Sequence, residues 1–112
     1  MEESILISIK KLLGLSKDYT AFDTDIIIHI NSVFMILNEL GIGPAEGFMI
    51  EDKTATWDEY IDDDKKFNAI QTYIYLKVKL VFDPPLSSAV MEANKQMINE
   101  LEWRLNVQAE SK

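Results

Sequence analysis

The stretch from residue 24 to residue 40 sets the terms for the rest of the chain. At about 100° per residue, Ile26, Ile27, Ile30, Val33, Phe34, Leu37 and Leu40 fall on one arc, with Asp25, His29, Ser32 and Glu39 opposite. Asp23 is placed to cap this helix, Asp25 suits its positive end, and Gly41 ends it. Three apolar residues do not fit the arc. Ile28 and Met35 form a second strip beside the polar face, and Ile36 sits within the polar face. A helix with that much apolar surface needs cover on a second side, from another segment of the chain or from another molecule.

The flanking segments are helical by the same reasoning. In residues 3–13, Ile5, Leu6, Ile9, Leu12 and Leu13 recur at helical spacing, and Gly14 is a C-terminal stop. Gly41-Ile42-Gly43-Pro44 is a specified bend, and Phe48-Met49-Ile50 suits a short extended piece. Thr56 and Glu59 form a capping box that predicts a short helix through Tyr60 and Ile61. Residues 65–82 fit two patterns. As a helix, Phe67, Ile70, Ile74, Val78 and Val81 share a face; as a strand, Ile74, Leu76, Val78, Leu80 and Phe82 alternate with Tyr73, Tyr75, Lys77 and Lys79. The pattern's run back through Lys65–Gln71 and its length favour helix. Asp83-Pro84-Pro85 ends the element either way. A last helix spans 88–106 with Ser87 as N-cap. Val90, Ala93, Met97, Ile98, Leu101 and Leu105 lie on one side and Trp103 on the other. Together these elements predict an all-α fold: a small bundle of four main helices, a short helix and an irregular inter-helix connection. Residues 1–106 form the single domain and 107–112 a short polar tail.

Composition narrows the function. At 112 residues the chain makes one domain with one core. The absence of cysteine excludes a disulfide scaffold, a thiolate metal site and a cysteine nucleophile. With 19 acidic and 11 basic residues the net charge is −8, which makes the chain a poor binder of duplex DNA. The acidic start and the polar interruptions at His29, Asn31, Ser32, Asn38 and Glu39 argue against a signal peptide and a membrane span. The chain is therefore expected to be soluble and, by default, cytoplasmic.

Residues suited to carry chemistry are few. His29 is the only histidine and has no nucleophile pattern beside it, so a half-exposed helix position near Asp25 and Ser32 is the simpler reading. A small hydrolase would have to use His29 with Asp25 or Asp23. Asp62-Asp63-Asp64 lacks the alternation, glycine and terminal Glu of a calcium loop and is followed by Lys65 and Lys66. The pairs Asp58/Glu59 and Glu100/Glu102 do not face each other on a helix. No phosphate loop is present, since Gly41-x-Gly43 has neither the third glycine nor the preceding strand. No cofactor or metal is expected. The stronger signal is surplus apolar surface at Ile28, Met35, Ile36 and Trp103, residue types that mark either cover by the 42–60 connection or a protein interface. Arg104 lies at the edge of the core arc within reach of Glu100.

Several phrases of the chain point the same way: Ile9-Lys10-Lys11-Leu12-Leu13-Gly14, Phe22-Asp23-Thr24-Asp25-Ile26-Ile27, His29-Ile30-Asn31-Ser32-Val33-Phe34, Leu40-Gly41-Ile42-Gly43-Pro44, the run from Thr72 to Pro85, and Glu100-Leu101-Glu102-Trp103-Arg104-Leu105-Asn106. Their order resembles the small head–tail connector (head-completion or adaptor) proteins of tailed bacteriophages and prophages, over nearly the whole chain. The resemblance implies a non-enzymatic, mostly helical virion protein, assembled in the host bacterial cytoplasm. It implies a ring, usually a dodecamer, under the portal protein, which prolongs the DNA channel and presents a platform to the next connector or the tail. DNA would pass without specific binding. By similarity, the segment from Glu102 to Lys112 would engage the portal and that from Gly43 to Asp64 would border the channel or the tail side. Candidate interface residues are then Ile28, Met35, Ile36, Trp103, Arg104 and Leu105. Candidate channel or tail-side residues are Phe48, Glu51, Asp52, Trp57, Asp58, Asp62, Asp63 and Asp64. The alternative is an acidic binding module, inhibitor or antitoxin-like, acting on a basic partner with strong salt sensitivity.

Overall fold

A computed structural model describes residues 2–62 and 64–110. Among the described residues five helices follow one another: α1 (Ile5–Leu12), α2 (Asp23–Glu39), α3 (Trp57–Tyr60), α4 (Asp64–Phe82) and α5 (Ser88–Glu110). No strand occurs among the described residues, so the fold is all-α, with four longer helices, one short helix and an irregular connection between α2 and α3.

The segment with two readings is helix throughout. Its strand-like alternation reflects burial on several sides, because α4 packs against α2, α5 and α1. Ile70, Tyr73, Ile74, Leu76 and Val78 are buried. They cover about 200° of the circumference at 100° per residue, more than an amphipathic surface helix would bury. Val81, expected on the apolar face, is exposed near the end of the helix.

α2 buries the arc expected of it: Ile26, Ile30, Val33, Phe34 and Leu37 lie in the core. Its start differs from expectation. Phe22 occupies the cap position without a side-chain bond, and Asp23 is the first helical residue. The Asp23 carboxylate instead meets Lys10 Nζ at 2.8 Å. Lys10 is buried, and its ammonium also donates to the Lys17 carbonyl oxygen at 3.3 Å. An ammonium withdrawn from water needs such partners, and this one ties α1, the 13–22 turn and α2 together.

The connection is woven into the core. The α1 start pairs with it through two backbone bonds, Ile5 N–H to the Ala55 carbonyl at 3.0 Å and Trp57 N–H to the Glu3 carbonyl at 3.2 Å. The Asn31 side chain clamps Ile50, accepting from its N–H at 2.8 Å and donating to its carbonyl at 3.0 Å. This extended stretch forms no strand. The expected capping box is present: the Thr56 N–H donates to Glu59 Oε2 at 2.6 Å. Gly43 has φ +87°, and a Cβ there would lie 2.6 Å from the Tyr60 ring, so the bend needs glycine for both its dihedral and its closeness to α3.

α5 continues through Glu110, where a short polar tail was expected from residue 107. Its phase also differs from the expected one. Ile98 and Leu105 are buried and Leu101 and Ala109 partly so, but Val90, Ala93 and Met97 are exposed. The line that α4 covers runs through Met91, Asn94, Ile98 and Leu105, which leaves the Val90–Met97 flank bare.

Candidate interaction surfaces

Four exposed features stand out. The first is a groove of about 740 Å³ between α2 and the connection. Ile28, Asn31, Phe34 and Met35 form one side and Glu46, Phe48 and Met49 the other. Ile28 is 57% exposed, Met35 63% and Met49 72%. The groove exists because the Asn31 clamp holds the connection at Ile50, while Phe48 packs its ring on Phe34 and Tyr60 at 5.2 and 5.1 Å. Met49, between two inward-facing neighbours, is left facing out.

The second feature is the bare flank of α5, with Val90 and Met97. The third is its outer face, where Trp103 is 67% exposed with Val107 one turn further on. Arg104 makes bonds of 3.1 and 2.8 Å to Glu100 Oε1 beside it, the pair expected from their spacing. The fourth is the charge of the connection. Between residues 44 and 64 lie eight of the 19 acidic residues and one of the 11 basic ones. Glu51, Asp52, Asp58 and Asp62 there are exposed. The Thr54 hydroxyl and N–H both donate to Asp52, which holds its carboxyl below the usual carboxylate range.

One candidate interface residue and one candidate channel or tail-side residue do not fit these surfaces. Leu105 is buried against the monomer's own core, because α4 covers that line of α5. Trp57 is fully buried: its indole N–H donates to Ser8 Oγ at 3.1 Å, and its ring meets the Phe67 ring edge-on at 5.3 Å. Ile36, placed within the polar face of its helix, is half-buried and packs against the core. Phe48 is half-buried. Asp63 and the side chain of Asp64 lie outside the described residues. Met49 and Leu86 were not anticipated as exposed positions. The alternation of Phe48-Met49-Ile50 carried a signal for Met49, and the Pro-Pro before Leu86 marks an outlying turn.

His29 is half-exposed on α2. Among the described residues no group of three or more His, Asp or Glu could hold a metal ion, and no helix is long and apolar enough to cross a membrane. The perturbed buried groups are two tyrosines. Burial pushes both hydroxyls well above their ordinary range, and a bond of 2.7 Å to Glu102 adds to the effect at Tyr73.

In class, this is an all-helical domain with uncovered apolar strips on two helices and eight of its 19 acidic residues in one connection, surfaces suited to association. Sequence comparison makes that class specific. The profile of the family described as phage connector protein matches residues 5–112, and the chain belongs to that family. Comparison with curated proteins and with solved structures gives no match. The family is structural, so the chain is a component of a phage virion that interacts with other virion proteins.

Proposed function

We propose that this chain is a head–tail connector subunit whose copies form a ring beneath the portal, extend the DNA channel and offer a docking platform to the next connector or the tail. Beyond family membership, the observation that carries the reading is the presence on one small domain of uncovered apolar strips on α2 and α5 and of a concentrated acidic surface on the 44–64 connection, the two meeting at the groove wall. Apolar strips on α2 and α5 supply contacts to other subunits. The acidic 44–64 connection supplies a wall that duplex DNA slides past, since a negative surface does not hold phosphates. In this arrangement Glu51, Asp52, Asp58 and Asp62 line the channel or the tail side, and Trp103 with Val107 faces the portal. Like charge on every subunit opposes assembly in solution. Binding to the portal offsets that repulsion and confines the ring to the place where it is needed.

Native mass spectrometry at rising protein concentration and two salt levels, with and without purified portal protein, tests the reading. The expected result is a closed oligomer of about twelve subunits, either free or on the portal. A chain that stays monomeric with portal present, or forms only one-to-one complexes with a basic protein, would overturn it in favour of an acidic binding module.

A further inference from the structure

We infer that the groove beside α2 is the socket for α5 of a second copy of this chain, so that copies join head to tail. The inference rests on the connector reading and names the contact that reading leaves open.

Socket and stripe match in three respects. The groove is apolar at Ile28, Phe34, Met35 and Met49, and Glu46 contributes a carboxylate to its wall. The bare flank of α5 is apolar at Val90, Ala93 and Met97 and continues on the same face to Arg104, a cation seven residues beyond Met97. Apolar surface thus meets apolar surface, and the guanidinium, paired on its own helix with Glu100, has donors left for the Glu46 carboxylate. The spacing also agrees. Ile28 and Met35 are seven residues apart on α2, as are Val90 and Met97 on α5, so both ridges are about 10.5 Å long. Finally, each surface carries an exposed methionine, Met35 on the socket and Met97 on the stripe. The flexible thioether lets two imperfect ridges fit together, and this helix-in-groove arrangement recurs widely in recognition.

The two surfaces belong to different helices, each packed on α4. A protomer whose socket is filled therefore still presents its own stripe. Such a contact is heterologous: it propagates from copy to copy and ends only by closing on itself. Arg104 is already held by Glu100, with both side chains about three-fifths exposed (62% and 61%). The guanidinium is thus pre-oriented on the stripe and keeps donors for a second carboxylate.

The absence of native cysteine makes the test clean. Met35→Cys and Met97→Cys proteins are mixed in equal amounts under mild oxidation, alone and with purified portal. Expected is a predominance of the unlike cross-link over both like ones. In parallel, Met35→Asp and Met97→Asp should each assemble at least about tenfold more weakly than wild type. An equimolar mixture of the two should stop at a dimer, since only one intact socket and one intact stripe remain to meet. If wild type assembles while the cross-link is absent, or while Met97→Asp assembles normally, the inference fails and the connector reading stands. If Met35→Asp loses only portal or tail-protein binding, the groove serves that partner and the inference again fails. If wild type assembles under no condition, both fail.

Discussion

The surroundings of the two tryptophans differ as much as any two regions of this molecule. Trp57 opens α3 inside a connection whose composition looks like a solvated loop, yet its side chain is inaccessible and bonded to Ser8. Trp103 lies in the second half of the longest helix, yet most of its surface faces water. The difference teaches that burial follows from what passes over a residue. The connection is drawn against α1 by two backbone bonds and against α2 by Asn31, so its apolar residues become core. No described segment of the chain passes over the outer face of α5. The strongest challenge to this contrast is Trp57→Ala, expected to lower stability by about 3–5 kcal/mol. Urea unfolding measures it, and a loss below about 1 kcal/mol would mean that the connection is not part of the core.

The next largest effect sits at the other end of α1. Lys10→Met leaves the Asp23 carboxylate without its cation in a partly buried site. Breaking a fully buried pair costs about 3–5 kcal/mol, and the 25% exposure of Asp23 places this one lower, at about 2 kcal/mol. The double variant Lys10→Met with Asp23→Leu is expected to recover most of the loss, because it removes both charges together. A double variant as unstable as the single one would show that the lysine matters through packing alone.

That ion pair also marks what the chain's pattern could not convey. Each helix was legible from its own residues, including α4, whose length outweighed its strand-like alternation. Contacts between segments were not. Asp23 has the right chemistry for a local cap, and only the approach of α1 turns it toward Lys10. Asn31 looks like a break in an apolar helix, and only the connection, nineteen residues away, gives its amide two partners. On α5 an apolar arc including Val90 and Met97 was readable, but the pattern does not say which edge of that arc α4 covers. Leu105 and Trp57 stood among the candidates because the resemblance maps whole segments, Glu102–Lys112 and Gly43–Asp64, to partners; a segment says nothing of which of its side chains turn inward, and both of these do. Ile28, Met35 and Trp103 stood out because they lie clear of any core arc, which needs no knowledge of neighbours.

The two buried tyrosines sharpen the comparison at a smaller scale. Tyr73 donates to Glu102 at 2.7 Å, whereas the Tyr60 hydroxyl is buried against Gly43 with no partner among the described residues. Tyr73→Phe should therefore cost about 1–2 kcal/mol, and Tyr60→Phe should be neutral or slightly stabilising at neutral pH. Both hydroxyls have their pKa raised in the folded state, so the unfolded chain loses these protons first. The stability associated with them is full below the unfolded value of about 10 and falls as pH rises beyond it. Each Phe variant should make the fall in urea midpoint between pH 9 and pH 11 shallower. An unchanged slope in both would place the alkaline loss outside these two hydroxyls.

The smallest stability effect is expected at the residue whose loss matters most for association. Trp103→Ala removes a large side chain that few groups in the monomer touch, so urea unfolding should change by less than about 0.5 kcal/mol. The fluorescence of the variant then comes from Trp57 alone and should shift to shorter wavelength, because the remaining indole is enclosed while the lost one faced water. Against the portal the same change should weaken binding at least about tenfold, since an exposed aromatic becomes a dominant contact only when a partner desolvates it. The three readouts together separate the possible roles. Loss of stability would make Trp103 a core residue, in conflict with its exposure. Unchanged stability with unchanged portal binding would leave the outer face of α5 without a partner and move the portal contact to another surface. Unchanged stability with weakened binding is the pattern expected of a side chain kept apolar for another molecule's benefit, the counterpart of Trp57, whose cover the chain supplies itself.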